Sequence, residues 1–368
     1  MFIHADFVTP SGLVQSARLE IVDGLIAGFT DEPGDGIDLS GHTVVPGFVD
    51  MHCHGGGTFD MTVTPAESAD FHLQHGTTTI LGSLVTASAE QLLAQIRMLR
   101  GLAADGVIAG IHLEGPWLSA HQCGAHDEDL LRPPTPDEIA ALVRTGEGTI
   151  RMATLAPELP GAIEAIALLT DAGVVAAVGH TDCDYDTAVA AIDAGATVAT
   201  HLFNRMPHLG KRHPGPVLAL LEAPEVTLEL IPDGVHVDTN LMRFVVNTVG
   251  PERIAGVTDA MAAAGAGDGH YTLGELDVDV VDGVARLSDD GALAGSTLTM
   301  DSALRTLVAD CGLGLVEVSR MLSGTPAQAM GFSDRGAIER GMRADLVVLT
   351  PDLDVVAVMR TGEWVVTP

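Results

Sequence analysis

The stretch that decides the fold runs Thr43-Val44-Val45-Pro46-Gly47-Phe48-Val49-Asp50-Met51-His52-Cys53-His54-Gly55-Gly56-Gly57. An apolar run, 43–49, leads into two histidines spaced two apart and then three glycines. A run this apolar reads as a strand buried on both faces, which is what a parallel sheet requires. A doubly wound sheet is the alternative architecture for such strands. It carries a Gly-rich phosphate turn directly after its first strand, and 52–57 is not that turn. Further apolar runs follow at 77–85, 106–113, 150–155, 174–178, 197–200, 226–231 and 253–258. Amphipathic stretches of helical period lie between most of them, among them 89–102, 136–145 and 184–194. Eight strands spread over about 280 residues match the count and length of a (β/α)8 barrel. The expected fold class is therefore α/β, a TIM-like barrel.

The two ends of the chain read differently. Runs at 17–22 and 25–29 around Asp23-Gly24 predict a β-hairpin. The C-terminal end predicts three short strands at 344–349, 355–359 and 364–366. Together they point to one small β-sandwich domain built from both termini, 1–45 plus 335–368, enclosing a catalytic barrel at 46–334. The stretch 271–288 breaks the barrel's alternation and reads as an extra hairpin around Asp282-Gly283.

Charge narrows the partners. The 368 residues include 18 basic and 50 acidic side chains, a formal net charge of −32. That field repels nucleic-acid backbones and anionic membrane faces, so neither is an expected partner. A small anion remains compatible, because a few local cations suffice to hold it. No basic n-region or apolar h-region opens the chain. The most apolar long stretch, 161–179, contains Glu164 and Asp171 and reads as helix, turn and strand. Cys53, Cys123, Cys183 and Cys311 show no C-x-x-C spacing. Reduced thiols in a cytoplasmic protein are the expectation.

Barrel chemistry gathers at the carboxyl ends of the strands. Five of the eight end in ionisable residues: His52 and His54 on the first, Glu114 on the third, His180 on the fifth, His201 on the sixth and Asp259 on the eighth. His52 and His54 share one face of an extended chain, and Cys53 points the other way. A lone strand histidine is ordinarily a satisfied core or surface residue. Imidazoles and carboxylates from five strand ends on one rim form a divalent-metal pattern. His112 shares the face of Glu114, which suits an outer role beside a ligand. His72, His75 and His270 match no motif. Downstream of His201, the segment 204–214 holds Arg205, Arg212 and Lys211, the chain's sole lysine. Basic residues this scarce and this clustered favour an anion site over a plain surface loop.

These motifs resemble the amidohydrolase superfamily, and within it the deacetylases acting on N-acetylglucosamine 6-phosphate. The carrying segments are 46–55, His112-Leu113-Glu114-Gly115-Pro116, Gly179-His180-Thr181, Thr200-His201-Leu202-Phe203-Asn204, Asp233-Gly234-Val235-His236 and Thr258-Asp259-Ala260, with the closing stretch 336–346. The resemblance spans essentially the whole chain. It implies that Glu114, His180 and His201 hold one metal, and that His52 and His54 with Asp259 hold a second, with Glu114 bridging. Relatives without the H-x-H pair use a single metal, so one or two divalent ions are implied, zinc or iron foremost. Asp259 is implied as general base and then acid. His126 is implied to contact the substrate near its amide carbonyl, and Asn204 and Arg205 to line the pocket. Arg212 and His236 are implied to contact the sugar phosphate and hydroxyls. A homodimer sharing phosphate contacts between subunits is implied as well. The implied reaction is metal-dependent hydrolysis of the N-acetyl amide to acetate and the amino sugar phosphate.

Three rivals stand beside this reading. Cyclic-amide hydrolases of the dihydroorotase and hydantoinase kind bridge their metals with a carboxylated lysine. Here the sole lysine follows a different strand, and Glu114 fills the ligand role. A deaminase of the same superfamily would release ammonia. A non-catalytic barrel scaffold would have lost ligands, and none is missing.

Overall fold

A computed structural model describes residues 1–31 and 36–368. Residues 32–35, part of the stretch assigned to the small domain, lie outside the described residues. Eight parallel strands form the central sheet: Phe48–Asp50, Thr77–Leu84, Gly110–Glu114, Ile150–Leu155, Val175–Val178, Ala196–Ala199, Thr227–Leu230 and Ile254–Gly256. They pair in chain order, each with the next. The first and eighth approach through their ends. The Asp50 carboxylate accepts from the Thr258 N–H at 3.2 Å and hydroxyl at 2.5 Å. Beyond it, Asp259 N–H donates to the His52 carbonyl at 2.9 Å, and His54 N–H to that of Ala260 at 2.8 Å. The barrel is nearly closed, and its closing seam is also the place where three of the expected metal ligands enter.

The strands are buried along almost their whole length, which explains why they read as apolar runs without alternation. The helices between them turn one face inward. In Ala89–Ala104 the buried residues are Leu92, Ile96 and Leu99, four and three apart, and the helix starts at Ser88, whose hydroxyl accepts from Gln91 N–H at 3.3 Å. Such a cap satisfies an N–H that the first helical turn cannot.

Both chain ends meet in one seven-stranded sheet, ordered Glu363–Val366, Val355–Arg360, Leu346–Leu349, Ile37–Pro46, Phe2–Thr9, Gly12–Val22 and Leu25–Phe29. Its own core includes Phe7, Leu19, Ile26, Leu346 and Met359 from strands across its width. The sheet therefore curls over itself. The 22–25 turn at one edge meets the 360–363 turn at the other, and a Cβ on Gly24 would lie 2.7 Å from the Thr361 carbonyl oxygen. Asp23 and Gly24 take φ of 50° and 76°, the left-handed pair that a tight hairpin turn favours.

The sequence run 43–49 is not one strand. Ile37–Pro46 belongs to the seven-stranded sheet, and Phe48–Asp50 starts the barrel. Gly47 is the joint: a Cβ there would fall 2.2 Å from the Thr78 hydroxyl oxygen, so only glycine lets the chain pass that close to the second barrel strand. The interruption at 271–288 is a three-stranded antiparallel sheet, Gly269–Leu273, Leu276–Val281 and Val284–Leu287. The turn between its last two strands is Asp282-Gly283, with φ of 53° and 74°.

Candidate metal centre

Ligand placement begins with the backbone leaving each strand. His180, His201 and Asp259 sit just past the fifth, sixth and eighth strands with φ of 47°, 26° and 48°. Left-handed backbone costs a non-glycine residue about 1–3 kcal/mol, and such strain concentrates at functional sites. It bends the chain sharply at the rim, so that these side chains turn over the barrel mouth.

The structure brings His52, His54, Glu114, His180, His201 and Asp259 together, all buried. Glu114 lies at the centre, one oxygen toward each group. Its Oε2 is 3.4 Å from His52 Nε2 and 3.1 Å from His54 Nε2. Its Oε1 is 3.1 Å from both His180 Nε2 and His201 Nε2. Asp259 Oδ1 joins the first group, 3.4 Å from His52 Nε2 and 3.3 Å from His54 Nε2.

Proton positions on the rings follow from the partners of the other nitrogen. His180 Nδ1 is 2.8 Å from the Gln122 carbonyl oxygen, and His52 Nδ1 is 3.1 Å from Glu229 Oε2. Both Nδ1 atoms therefore donate, and both Nε2 atoms offer lone pairs. The Nε2 atoms of His52 and His54 are 3.1 Å apart, and those of His180 and His201 are 3.0 Å apart. The lone pairs of His52 and His180, set against carboxylate oxygens and neighbouring ring nitrogens at such distances, repel unless a proton or a divalent cation lies among them. Neutral imidazoles and carboxylates are ligands of borderline divalent ions. The donor set fits a divalent metal, in two cradles that share Glu114.

Protons can fill the cation's place: burial works to lower the His52 and His54 rings, but Glu114 and Asp259 raise both, His54 to about 9. Burial works to raise the Glu114 carboxyl, but the charge on His52 and the imidazoles around it hold it well below the usual range. Asp259 is likewise held down against burial by His52 and His54. Burial pushes His180 down to about 4, so its ring is neutral at physiological pH.

His126 faces the same cavity with the opposite tautomer. Its Nδ1 accepts the Thr86 N–H at 3.2 Å, which leaves the proton on Nε2. That Nε2 lies 3.5 Å from Glu114 Oε2 and is a donor into the cavity, unlike the Nε2 atoms of the ligand rings. The cavity holds about 390 Å³ and is lined by His54, Glu114, His126, His180, His201 and Asp259 on the metal side. Asn204, Arg205 and His236 line the same cavity. His236 Nδ1 is 2.6 Å from Asp233 Oδ2, and Asp233 Oδ1 accepts the N–H groups of Val235 and His236 at 2.9 Å each. Burial opposes protonation of His236, but this carboxylate raises it above its ordinary value. Arg212 is exposed and does not line the cavity.

Two buried carboxylates carry roles that the sequence reading did not assign. Asp50 clamps the first strand to the eighth, as described above. Glu229, on the seventh strand, reaches His52 Nδ1. A glutamate inside the run Val226-Thr227-Leu228-Glu229-Leu230-Ile231 was the available signal, since a charge facing a barrel interior is costly without a partner. His112 packs edge-on against the His52 ring, centroids 4.5 Å apart, between the hydroxyls of Ser83 and Thr154. Cys53 points away from the cradles, its Sγ 3.3 Å from His72 Nε2.

A model of the amidohydrolase family matches residues 43–365. An N-acetylgalactosamine-6-phosphate deacetylase of Escherichia coli O157:H7 is 33% identical over 365 residues, 97% of this chain and 96% of the relative. An N-acetylglucosamine-6-phosphate deacetylase of Lysinibacillus sphaericus is 30% identical over 367 residues, 96% of this chain and 95% of the relative. Among solved structures, a mutant N-acetyl-D-glucosamine-6-phosphate deacetylase of Mycobacterium smegmatis, in complex with N-acetyl-D-glucosamine-6-phosphate, superposes with a TM-score of 0.97 at 48% identity. That match covers 100% of this chain and 99% of the other.

Proposed function

The chain belongs to the amidohydrolase family, and we propose that it hydrolyses the N-acetyl amide of N-acetylglucosamine 6-phosphate, releasing acetate and glucosamine 6-phosphate. The observation that carries this reading is the single Glu114 carboxylate shared between two cradles of imidazoles at the floor of a cavity that also offers His236 and Arg205. In the cyclic-amide hydrolases a carboxylated lysine takes that bridging place. Here Lys211 is exposed and outside the cavity.

An amide is a poor electrophile with a poor leaving group. The chemistry a bound divalent ion supplies at such a site is acidification of water and polarisation of a carbonyl. Two ions per subunit, zinc or iron, is the occupancy this donor set supports. Asp259, at the edge of the first cradle, accepts the water proton as the new C–O bond forms. It returns that proton to the amide nitrogen as the C–N bond breaks, so an amine departs rather than an amide anion. The His126 Nε2–H donates to the carbonyl oxygen as it gains charge, and a donor there stabilises the transition state more than the ground state. Asn204, Arg205 and His236 hold the sugar phosphate.

Arg212 lies outside its own cavity, on the segment 207–214 whose Leu209 is 56% exposed. We infer that it serves the cavity of a second subunit in a homodimer. The reaction belongs to the barrel, 46–334, with the sheet of the two ends, 1–45 and 335–368, as its support. No helix among the described residues is long and apolar enough to cross a membrane, and the free cysteines and phosphorylated substrate support a cytoplasmic setting.

The test is acetate release by metal-supplemented protein from N-acetylglucosamine 6-phosphate, its galacto epimer and unphosphorylated N-acetylglucosamine. Turnover of the phosphates with little of the free sugar is expected. Equal turnover of free and phosphorylated sugar would remove the anion site. Ring opening of dihydroorotate with no acetate release would favour the cyclic-amide reading.

A further inference from the structure

Glu229 is a fully buried carboxylate at the barrel mouth that the mechanism leaves without a task. Its Oε2 is 3.1 Å from His52 Nδ1 and accepts the main-chain N–H of His201, also at 3.1 Å. Its Oε1 has no hydrogen-bond partner among the described residues. A buried carboxylate is costly to keep without partners. Packing alone does not explain it, since leucine would fill a similar volume.

We propose that Glu229 is a positioning residue for the metal centre, fixing the His52 ring in one cradle and the His201 main chain in the other. Besides the His54 ring, those of His112 and His201 pack on His52, in edge-on and stacked contact. Neither contact distinguishes the ring from its flipped form. The Nδ1–H···Oε2 bond does. A half-turn about the Cβ–Cγ bond would put a C–H against Glu229 and withdraw Nε2 from Glu114, His54 and Asp259. The bond also settles the tautomer, keeping the Nε2 lone pair free. The same oxygen reaches His201, whose φ of 26° is sterically unfavourable. Holding that N–H fixes the strained turn that aims Nε2 at Glu114 Oε1. One buried oxygen thus couples two cradles supplied by different strands.

The inference rests on the metal-centre reading, and its test separates the two. Wild type, Glu229→Gln, Glu229→Asp and Glu229→Leu are dialysed against graded chelator. Metal per subunit is measured by elemental analysis, and thermal midpoints are measured on the metal-free forms. Glutamine keeps an acceptor oxygen in place, so Glu229→Gln is expected to retain metal within about threefold of wild type. Aspartate keeps the charge but draws it back by one methylene, and leucine removes the acceptor. Both are expected to lose about 10- to 100-fold in affinity, the effect of losing an outer partner of a metal ligand, with metal-free midpoints close to wild type. Wild-type affinity in Glu229→Asp or Glu229→Leu would overturn the inference while leaving the metal centre standing. So would a loss in Glu229→Gln equal to that in Glu229→Asp, since charge and not placement would then matter. Wild type that binds no metal would overturn the metal-centre reading and this inference with it.

Discussion

Three histidines at the barrel mouth do different work because their second nitrogens have different partners. His52 and His180 give their Nδ1 protons to an oxygen and present lone pairs. His126 receives a proton donor at Nδ1 and presents an N–H. A sequence shows that histidines fall at strand ends, but it does not show tautomers, which depend on residues such as Glu229 and Thr86 far away in the chain. His236 offers a test at this scale. Its neighbour Asp233 keeps it protonated to a higher pH than an ordinary histidine, and the imidazolium is the form that attracts phosphate. As pH rises through that raised value the cation is lost, so KM for N-acetylglucosamine 6-phosphate should climb on the alkaline side. His236→Asn should raise KM about 10- to 100-fold at neutral pH, the worth of a charge-assisted hydrogen bond, and flatten the alkaline rise. An unchanged KM–pH profile in the variant would remove His236 from phosphate binding.

At the level of elements, the strands were legible because burial on both faces leaves long apolar runs, and the histidines and carboxylates gathered at the barrel mouth were legible because they sit at the ends of those runs. The division of 43–49 was not. Nothing in Thr43-Val44-Val45-Pro46-Gly47-Phe48-Val49 marks which sheet each half joins, because the joint at Gly47 is set by its approach to Thr78. Nor was the packing between helices. Helix Met300–Arg305 presents Asp301 to His75, which caps helix Pro65–Gln74, with Nδ1–Oδ1 at 3.1 Å and a further bond from Arg305 at 3.0 Å. Burial works to raise the Asp301 carboxyl, but His75, Thr299 and Arg305 hold it below its ordinary 3.8. A depressed carboxyl contributes stability that is present above the unfolded-state value and is lost as pH falls below it. Asp301→Asn should therefore be less stable than wild type by about 1–3 kcal/mol at neutral pH, and the gap should narrow below pH 4, as read by denaturant unfolding. A gap of constant size from pH 7 to pH 3 would show that the carboxylate's charge contributes nothing.

For the molecule as a whole, a net charge of −32 makes the placement of the few cations informative. Arg205 lines the cavity, whereas Arg212 faces solvent near exposed Leu209. Phe244, 62% exposed, and Leu241 add apolar surface on the helix Thr239–Val249, which follows His236. In the proposed homodimer Arg212 would reach a partner's cavity. Light scattering should give twice the chain mass, and Arg212→Ala should raise KM for the phosphorylated sugar while leaving turnover of the unphosphorylated sugar unchanged. A monomer with full activity on the phosphorylated sugar would exclude the shared site. The claim on which all else depends is that the two cradles around Glu114 hold divalent metal and that amide hydrolysis requires it. The most direct measurement is acetate release from N-acetylglucosamine 6-phosphate by chelated protein, before and after divalent metal is restored, with bound metal counted in the same samples. The account predicts no release without metal and recovery in proportion to the metal regained. Full activity in metal-free protein, or none once metal is bound, would contradict it.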